Sequence, residues 1–212
     1  MLICASLAAF SCPLVYSLPY CPSVSFAVPL AQPPDANPAY NGTTLPNSVS
    51  SPLIEYMTNF TTTLLTFACG RDMYSPLQSC ADCQIAYRKW LCSVSFTRCS
   101  EPSPGSTATQ AAGTAQQPLS ALAPQPTNAT SRNPNIPNFA SSYTALLPCI
   151  ETCTAVDRAC PNFLGFKCPL VQFSAATSYG VGFIDSGEVG VQGRGSTGTA
   201  QDIWGNIWCN GS

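Results

Sequence analysis

The chain has 212 residues, of which 8% are charged, 13 are cysteine, 20 are proline and none is histidine. An average soluble domain has about 25% charged residues, so surface charge contributes unusually little to the solubility of this protein. The net charge is −2, and the tightest basic cluster is Arg88-Lys89. That is too little positive charge to displace the counterions of a nucleic acid or to hold an anionic lipid surface, which excludes both as direct electrostatic partners.

Four Asn-x-Ser/Thr sequons accompany the cysteines, at Asn41, Asn59, Asn128 and Asn210. N-linked sugar can replace charge as a solubilising group, and disulfides persist in oxidising compartments. A single sequon in a Ser/Thr-rich chain is weak evidence, but four beside 13 cysteines indicate the secretory pathway. We therefore expect a disulfide-bonded glycoprotein located at the extracellular face of the plasma membrane or in the endoplasmic reticulum lumen.

Residues 1–47 are predicted to be an irregular, Pro-rich N-terminal segment that cysteines tie to the rest of the protein. Its apolar run at residues 2–10 lacks a basic flank, so it is a poor signal peptide, and it is too short for a transmembrane helix. We interpret the chain as starting inside a longer ectodomain. Residues 23–28 alternate with period two, which predicts a short strand.

The first helical cysteine cluster is predicted over residues 48–99. Its first helix has Ser51 as N-cap and Pro52 at the first helical position, and ends at Cys69-Gly70. Apolar residues recur at spacings of three and four along one stripe, which contains Leu53, Met57, Phe60, Leu64 and Phe67.

The second predicted helix has Ser75 as N-cap and Pro76 at its first position. Its apolar face contains Leu77, Cys80, Cys83, Tyr87 and Leu91, and Cys92 and Cys99 close the cluster.

Residues 100–138 are of low complexity, which predicts a disordered insertion. The second helical cluster follows at residues 139–212 and forms one domain with residues 48–99. Its helix is predicted to begin at Pro148 and to stop at Pro161, and residues 170–212 are predicted to be loop or short irregular strands.

Cysteines lie at or beside the apolar stripe of each predicted helix, where disulfides can join one helix to another. Cys4 is expected to be unpaired, because it lies in the segment with the least predicted order. Twelve cysteines allow roughly ten thousand pairings, so the sequence assigns no connectivity. The cysteines predicted to form disulfides are Cys12, Cys21, Cys69, Cys80, Cys83, Cys92, Cys99, Cys149, Cys153, Cys160, Cys168 and Cys209.

Two functional alternatives for the cysteines are disfavoured. Cys80-Ala-Asp-Cys83 has the spacing of a redox pair, but such a pair requires its first cysteine at a helix N-terminus, and Cys80 is predicted to lie one turn inside. A four-thiolate zinc site could be formed by Cys80, Cys83, Cys149 and Cys153, but the oxidising compartment favours disulfides. We predict no metal site.

Catalysis is disfavoured because the chain has no histidine for a Ser-His or Cys-His pair. Two carboxylates suffice for a glycosidase, and Asp72, Asp82, Glu151 and Asp157 are available. Each of them is more readily explained as a charge on a helix surface. We expect neither enzymatic activity nor a cofactor.

Four blocks of sequence resemble one family. They are Cys12-Pro-Leu-Val-Tyr-Ser-Leu-Pro-Tyr-Cys21 with its continuation to Pro29, Phe67-Ala-Cys-Gly-Arg-Asp-Met-Tyr-Ser-Pro-Leu-Gln-Ser-Cys-Ala-Asp-Cys83, Tyr87-Arg-Lys-Trp-Leu-Cys92, and Leu147-Pro-Cys-Ile-Glu-Thr-Cys153 with residues 160–169. The family is the fungal stretch-activated calcium-channel component, also described as the mating-pheromone-induced-death regulatory subunit. The blocks appear in family order over residues 12–209, interrupted by residues 100–138.

The resemblance implies a small, mainly α-helical, disulfide-rich fold of the Frizzled-like cysteine-rich type. It also implies an extracellular auxiliary subunit that binds the pore-forming subunit of a fungal calcium channel and promotes calcium influx, similar to the auxiliary subunit of the animal sodium-leak channel. Any membrane attachment is expected through that partner or through a missing N-terminal region. The expected contact residues are Tyr87, Arg88, Lys89, Trp90, Trp204 and Trp208.

A free secreted glycoprotein that binds a lipid or a cell-wall ligand is the alternative function. An apolar groove between the helices would favour this alternative.

Overall fold

The computed structural model describes residues 12–33, 39–67, 77–100, 121–180 and 209–211. Helices and short strands alternate along this part of the chain, so the fold is less purely helical than expected. In chain order the elements are β1 (Leu14–Val15), β2 (Phe26–Ala27), β3 (Ala39–Tyr40), α1 (Asn47–Leu65), α2 (Cys80–Ser95), β4 (Arg98–Ser100), β5 (Leu122–Gln125), β6 (Tyr143–Leu146), α3 (Ile150–Ala159), a 3-10 turn (Asn162–Leu164), a π-helical turn (Val171–Ala175) and α4 (Ala176–Ser178).

The strands form two small sheets. In the first, β1 lies between β2 and β3 and is antiparallel to β2 but parallel to β3. In the second, β6 lies between β4 and β5 and is antiparallel to both, with Cys99 and Ala123 each paired with Ala145. The predicted strand at residues 23–28 corresponds in part to β2.

Helix α1 begins at Asn47, five residues before the predicted start at Pro52, and Pro46 rather than Ser51 is its N-cap. The extra turn buries Val49, which is 2% exposed, beside Leu53. Pro52 therefore lies inside the helix, where it removes one backbone hydrogen bond. Burial of an additional apolar side chain offsets that loss. The helix ends at Leu65 with Thr66 as its C-cap, so the predicted end at Cys69-Gly70 is too late and Phe67 of the predicted stripe follows the helix. Cys69 and Gly70 themselves lie outside the described residues.

Helix α2 begins at Cys80, so the predicted N-cap at Ser75 is wrong. The N-cap is Ser79, whose hydroxyl oxygen accepts a hydrogen bond from the Asp82 backbone N–H, while an Asp82 carboxylate oxygen accepts one from the Ser79 N–H at 2.8 Å. This capping box satisfies two N–H groups that the first turn would leave unpaired. The hydrogen bonds from Ser79 also lower the pKa of Asp82, because they stabilise its ionised form.

Part of the predicted disordered insertion is ordered. Residues 121–138 contain β5 and a turn segment, and Ile136 within them is 2% exposed in the main core. Pairing of β5 with β6 is a contact between distant parts of the chain, which low-complexity composition does not reveal. Residues 101–120 lie outside the described part of the chain.

Helix α3 begins at Ile150 and ends at Ala159, within two residues of the predicted limits. Residues 171–178, predicted as loop or irregular strand, instead form the π-helical turn and α4.

The main core lies between the N-terminal segment and the first two helices. Residues 12–33 contribute fully buried side chains that include Val15, Val24 and Val28, and these pack in one cluster with Leu53 of α1 and Phe96 after α2. A second cluster joins α1, α2 and α3 and contains Leu64, Cys80, Cys83, Val156 and Cys160. The helices are thus held by two apolar clusters, both of which contain disulfides.

Candidate interaction surface

The described residues contain five disulfides, formed by ten of the twelve cysteines predicted to pair. They are Cys12–Cys99, Cys21–Cys92, Cys83–Cys160, Cys149–Cys209 and Cys153–Cys168. Cys80 is also disulfide-bonded, whereas Cys4 and Cys69 lie outside the described residues. The fold is therefore small and disulfide-rich, as the cysteine count indicated.

One of these disulfides joins the two halves of the chain. Cys83 of α2 and Cys160 after α3 are 77 residues apart, with Cα atoms 4.7 Å apart, and the bond lies in the second core cluster. The other four disulfides each connect residues within 12–99 or within 149–209. Among the five disulfides of the described residues, Cys83–Cys160 is thus the one that joins the segment before residue 101 to the segment after residue 120.

The pairing argues against both alternative uses of the cysteines. Cys80 is the first residue of α2, not one turn inside as predicted, but Cys83 is bonded to Cys160 and therefore does not pair with Cys80. Cys149 and Cys153 are bonded to Cys209 and Cys168. The proposed zinc ligands are therefore disulfide sulfurs rather than thiolates, and a zinc site requires thiolates.

Three of the four sequon asparagines are accessible. Asn59 on α1 and Asn128, which has a φ of 57°, are exposed, and Asn41 is half-buried. The Asn41 side-chain oxygen accepts hydrogen bonds from the backbone N–H of Thr43 at 2.9 Å and from the Thr43 hydroxyl at 2.7 Å. This turn lies on the surface, where a glycan has room.

Asn210 is different, because its side chain is 2% exposed and its amide nitrogen is buried. Its backbone N–H donates to the Leu147 carbonyl and its carbonyl accepts from the Cys149 N–H, so the residue is paired on both sides next to the Cys149–Cys209 disulfide. A glycan on this nitrogen would require the side chain to leave its buried position. Glycosylation of Asn210 stays a prediction, and the burial of its amide argues against it.

The aromatic residues expected to contact a partner are partly buried. The Tyr87 ring stacks on Phe60 with centroids 3.6 Å apart, which joins α2 to α1. The Trp90 ring meets Phe166 edge to face at 4.9 Å, and its indole N–H donates to the Tyr179 hydroxyl at 2.9 Å. Tyr87 therefore holds α2 to α1, and Trp90 holds α2 to the 160–180 region, so both side chains are less available to a partner than expected.

Phe166 and Tyr179 were not identified from the sequence. Each is a single aromatic residue outside the predicted helices, so no periodic pattern marks it. Burial raises the pKa of Tyr87, and neighbouring Tyr56 adds to the effect, so the phenol stays neutral at physiological pH.

Arg88 and Lys89, by contrast, are exposed. Within the described part of the chain neither forms an ion pair. Trp204 and Trp208 lie outside the described residues, so their predicted role is untested.

Arg88 borders an apolar groove of about 440 Å³ between α1 and α2. Ile54 and Met57 of α1 line one wall, Ile85 of α2 lines the other, and the stacked Phe60 and Tyr87 rings also contribute. Ile54 and Ile85 are 44% and 56% exposed, so apolar surface is open to solvent here.

The carboxylates considered for catalysis have structural positions. Asp82 belongs to the α2 capping box, Glu151 lies in the first turn of α3, and Asp157 is exposed on α3. Asp72 lies outside the described residues. A second groove, between α2 and α3, has Asp82 as the one carboxylate among its described lining residues, so it does not present the carboxylate pair that a glycosidase requires.

A family model described as "Stretch-activated Ca2+-permeable channel component", named Mid1, matches residues 4–193. The chain belongs to the Mid1 family. Members of this family are known as channel components rather than as enzymes.

Curated Mid1 relatives come from several fungi. The chain is 36% identical to the stretch-activated cation channel MID1 of Cryptococcus neoformans over 96% of its own length and 35% of that protein. It is 30% identical to the stretch-activated cation channel yam8 of Schizosaccharomyces pombe over 80% of the chain and 32% of that protein. MID1 of Saccharomyces cerevisiae is 28% identical over 74% of the chain and 26% of that protein.

The chain thus spans about a third or less of the length of these Mid1 relatives. No solved structure matches it. Among the described helices of this Mid1-family chain, none combines the length and apolar character needed to span a membrane.

Proposed function

We propose that this chain is the extracytoplasmic, regulatory part of a fungal calcium-channel component, which binds the extracellular face of the pore-forming subunit and promotes calcium influx. The observation that carries the proposal is the Mid1-family match over residues 4–193 in a chain with five described disulfides. Disulfides form and persist in oxidising compartments, which supports a location in the secretory pathway or outside the cell. We also propose that the cysteine framework is of the Frizzled-like type.

The rigidity of the described helices supports a binding role. The helices are fixed to one another by a disulfide and by stacked aromatic rings. Little conformational entropy therefore has to be lost when a partner binds to this surface.

The test is co-purification of the full-length protein with the pore-forming calcium-channel subunit from fungal membranes in mild detergent. Recovery of the pore-forming subunit with the tagged protein, lost when the disulfides are reduced before binding, supports the proposal. No recovery from membranes that contain both proteins contradicts it. A tagged, unrelated cell-surface glycoprotein is the control for non-specific recovery.

The alternative of a secreted protein that binds a lipid has one observation in its favour, the apolar groove between α1 and α2. Mass spectrometry of lipids extracted from the purified protein tests it. A stoichiometric lipid that is lost when Ile54 and Ile85 are both replaced by glutamine would favour this alternative.

A further inference from the structure

We propose that the α1–α2 groove is the docking site for an acidic, amphipathic protein segment on the extracellular side of the pore-forming subunit, with Arg88 pairing with a carboxylate of that segment. This inference rests on the proposed function and names the surface that carries it. The groove is apolar, is open to solvent, and has a single charged residue in its described lining.

The groove has the chemistry of a site for one apolar face of a peptide. Ile54, Met57 and Ile85 line it together with the Phe60 and Tyr87 rings, and three threonines, Thr58, Thr61 and Thr62, form much of the remaining α1 wall. Its volume of about 440 Å³ is enough for a few large side chains. Helical segments bind such grooves through apolar residues spaced three and four apart.

The charge of the groove specifies the partner further. Arg88 is the one charged residue among the described residues that line the groove, and none of these residues has a carboxylate. The guanidinium forms no ion pair or hydrogen bond within the described part of the chain. An arginine presents a planar set of donors that matches a carboxylate with two parallel hydrogen bonds. An apolar segment with an aspartate or glutamate beside its anchors therefore complements this groove.

The sequon at Asn59 lies at one edge of the groove, away from its apolar α1 residues. Asn59 does not itself line the groove, but at 3.6 residues per turn it lies only about 60° around α1 from Thr62, which does, and about 140° to 160° from Ile54 and Met57. A sugar on Asn59 would therefore leave α1 beside Thr62 rather than over the apolar wall. The tight turn at Asn41 and the exposed Asn128 belong to other segments, and neither lines the groove.

The adjacent lysine provides a matched control. Arg88 and Lys89 are neighbours on α2, both are exposed, and neither forms an ion pair among the described residues, but Lys89 does not line the groove. Arg88→Glu and Lys89→Glu therefore change the net charge equally at the same part of the surface. We expect Arg88→Glu to reduce recovery of the pore-forming subunit with the full-length protein at least tenfold, and Lys89→Glu to change it less than twofold.

Photo-crosslinking identifies the occupant. A photoreactive amino acid is placed at Ile85 in the groove, with Phe173, which is 76% exposed outside it, as the control position. We expect a cross-link from position 85 to a segment of the pore-forming subunit that contains an aspartate or glutamate. Replacing that acid with arginine is expected to restore binding to the Arg88→Glu variant at least fivefold.

Several results would overturn the inference. One is an equal effect of Arg88→Glu and Lys89→Glu, and another is a cross-link from position 85 to phospholipid or to another segment of the same chain. If the wild-type protein recovers the pore-forming subunit while Arg88→Glu has no effect, the docking site is wrong but the proposed function stands. If the wild-type protein recovers none, both are wrong.

Discussion

Removal of the Cys83–Cys160 disulfide is predicted to destabilise the fold more than removal of the Cys153–Cys168 disulfide. The change is the double substitution Cys83→Ala and Cys160→Ala, which leaves no unpaired thiol. Among the disulfides of the described residues, this bond is the one that joins residues 12–100 to residues 121–211. Both cysteines lie in the second core cluster with Leu64 and Val156. Its loss is expected to separate α3 from α2.

The magnitude follows from the length of chain that the bond closes. A separation of 77 residues corresponds to about 4.5 kcal/mol of lost conformational entropy in the unfolded chain, in the chain-entropy account of disulfides. The Cys153–Cys168 bond closes 15 residues, which corresponds to about 3 kcal/mol. We therefore expect the first variant to be destabilised by about 1.5 kcal/mol more than a Cys153→Ala, Cys168→Ala variant.

The assay is urea-induced unfolding of the secreted proteins under oxidising conditions, followed by tryptophan fluorescence. A protease site inserted between residues 110 and 111 adds a second measurement. After cleavage, a non-reducing gel is expected to show one linked species for the parent protein and two fragments for the Cys83→Ala, Cys160→Ala variant. If the cleaved variant stays linked, or if the two double variants unfold at the same urea concentration, the reasoning is refuted.

Three further predictions concern local features of the fold. Ser79→Ala is expected to lower the free energy of unfolding by about 1 kcal/mol through loss of the α2 N-cap, with Ser79→Asp as the rescuing control in urea titrations. Hydrogen bonds from Ser79 lower the pKa of Asp82 in the folded state. The stability that they contribute is therefore fully present above about pH 4, the ordinary pKa range of an aspartate, and is lost as the pH falls through the lowered pKa. A loss of this stability that begins near neutral pH would contradict the assignment. Phe60→Leu is expected to cost roughly 1 kcal/mol or more through loss of the ring stack on Tyr87, and a Tyr87→Leu change in the Phe60→Leu background is expected to cost less than it does alone. Glycopeptide mass spectrometry of the folded, secreted protein is expected to find no sugar on Asn210, whose amide nitrogen is buried, and a fully glycosylated Asn210 would contradict its buried position.

The sequence predicted those parts of the fold that depend on local patterns. The three long helices follow from apolar spacing, and the positions of Leu53 and Leu64 on the buried side of α1 agree with the predicted stripe. Helix starts were less predictable, because several Ser-Pro pairs resemble caps. The true α2 cap depends on Asp82, three residues after Ser79, and this capping-box spacing was available in the sequence.

The parts that could not be predicted depend on contacts between distant segments. The β4-β6-β5 sheet brings residues 98–100 and 122–125 to the same strand, β6, although the sequence between them is of low complexity. Likewise, Phe166 and Tyr179 contact Trp90 across more than one element, and neither belongs to a periodic stripe. The groove beside Arg88 arises only when α1 and α2 pack, so the basic pair was visible in the sequence but the surface it borders was not.

We have proposed that this Mid1-family chain acts outside the membrane and promotes calcium influx through a partner subunit. The most direct test is radioactive calcium uptake in fungal cells that lack their own family member. The full-length protein is predicted to restore uptake only when the pore-forming calcium-channel gene is present, and the Arg88→Glu variant is predicted to restore much less. Full restoration of uptake in cells without the pore-forming subunit would contradict the claim.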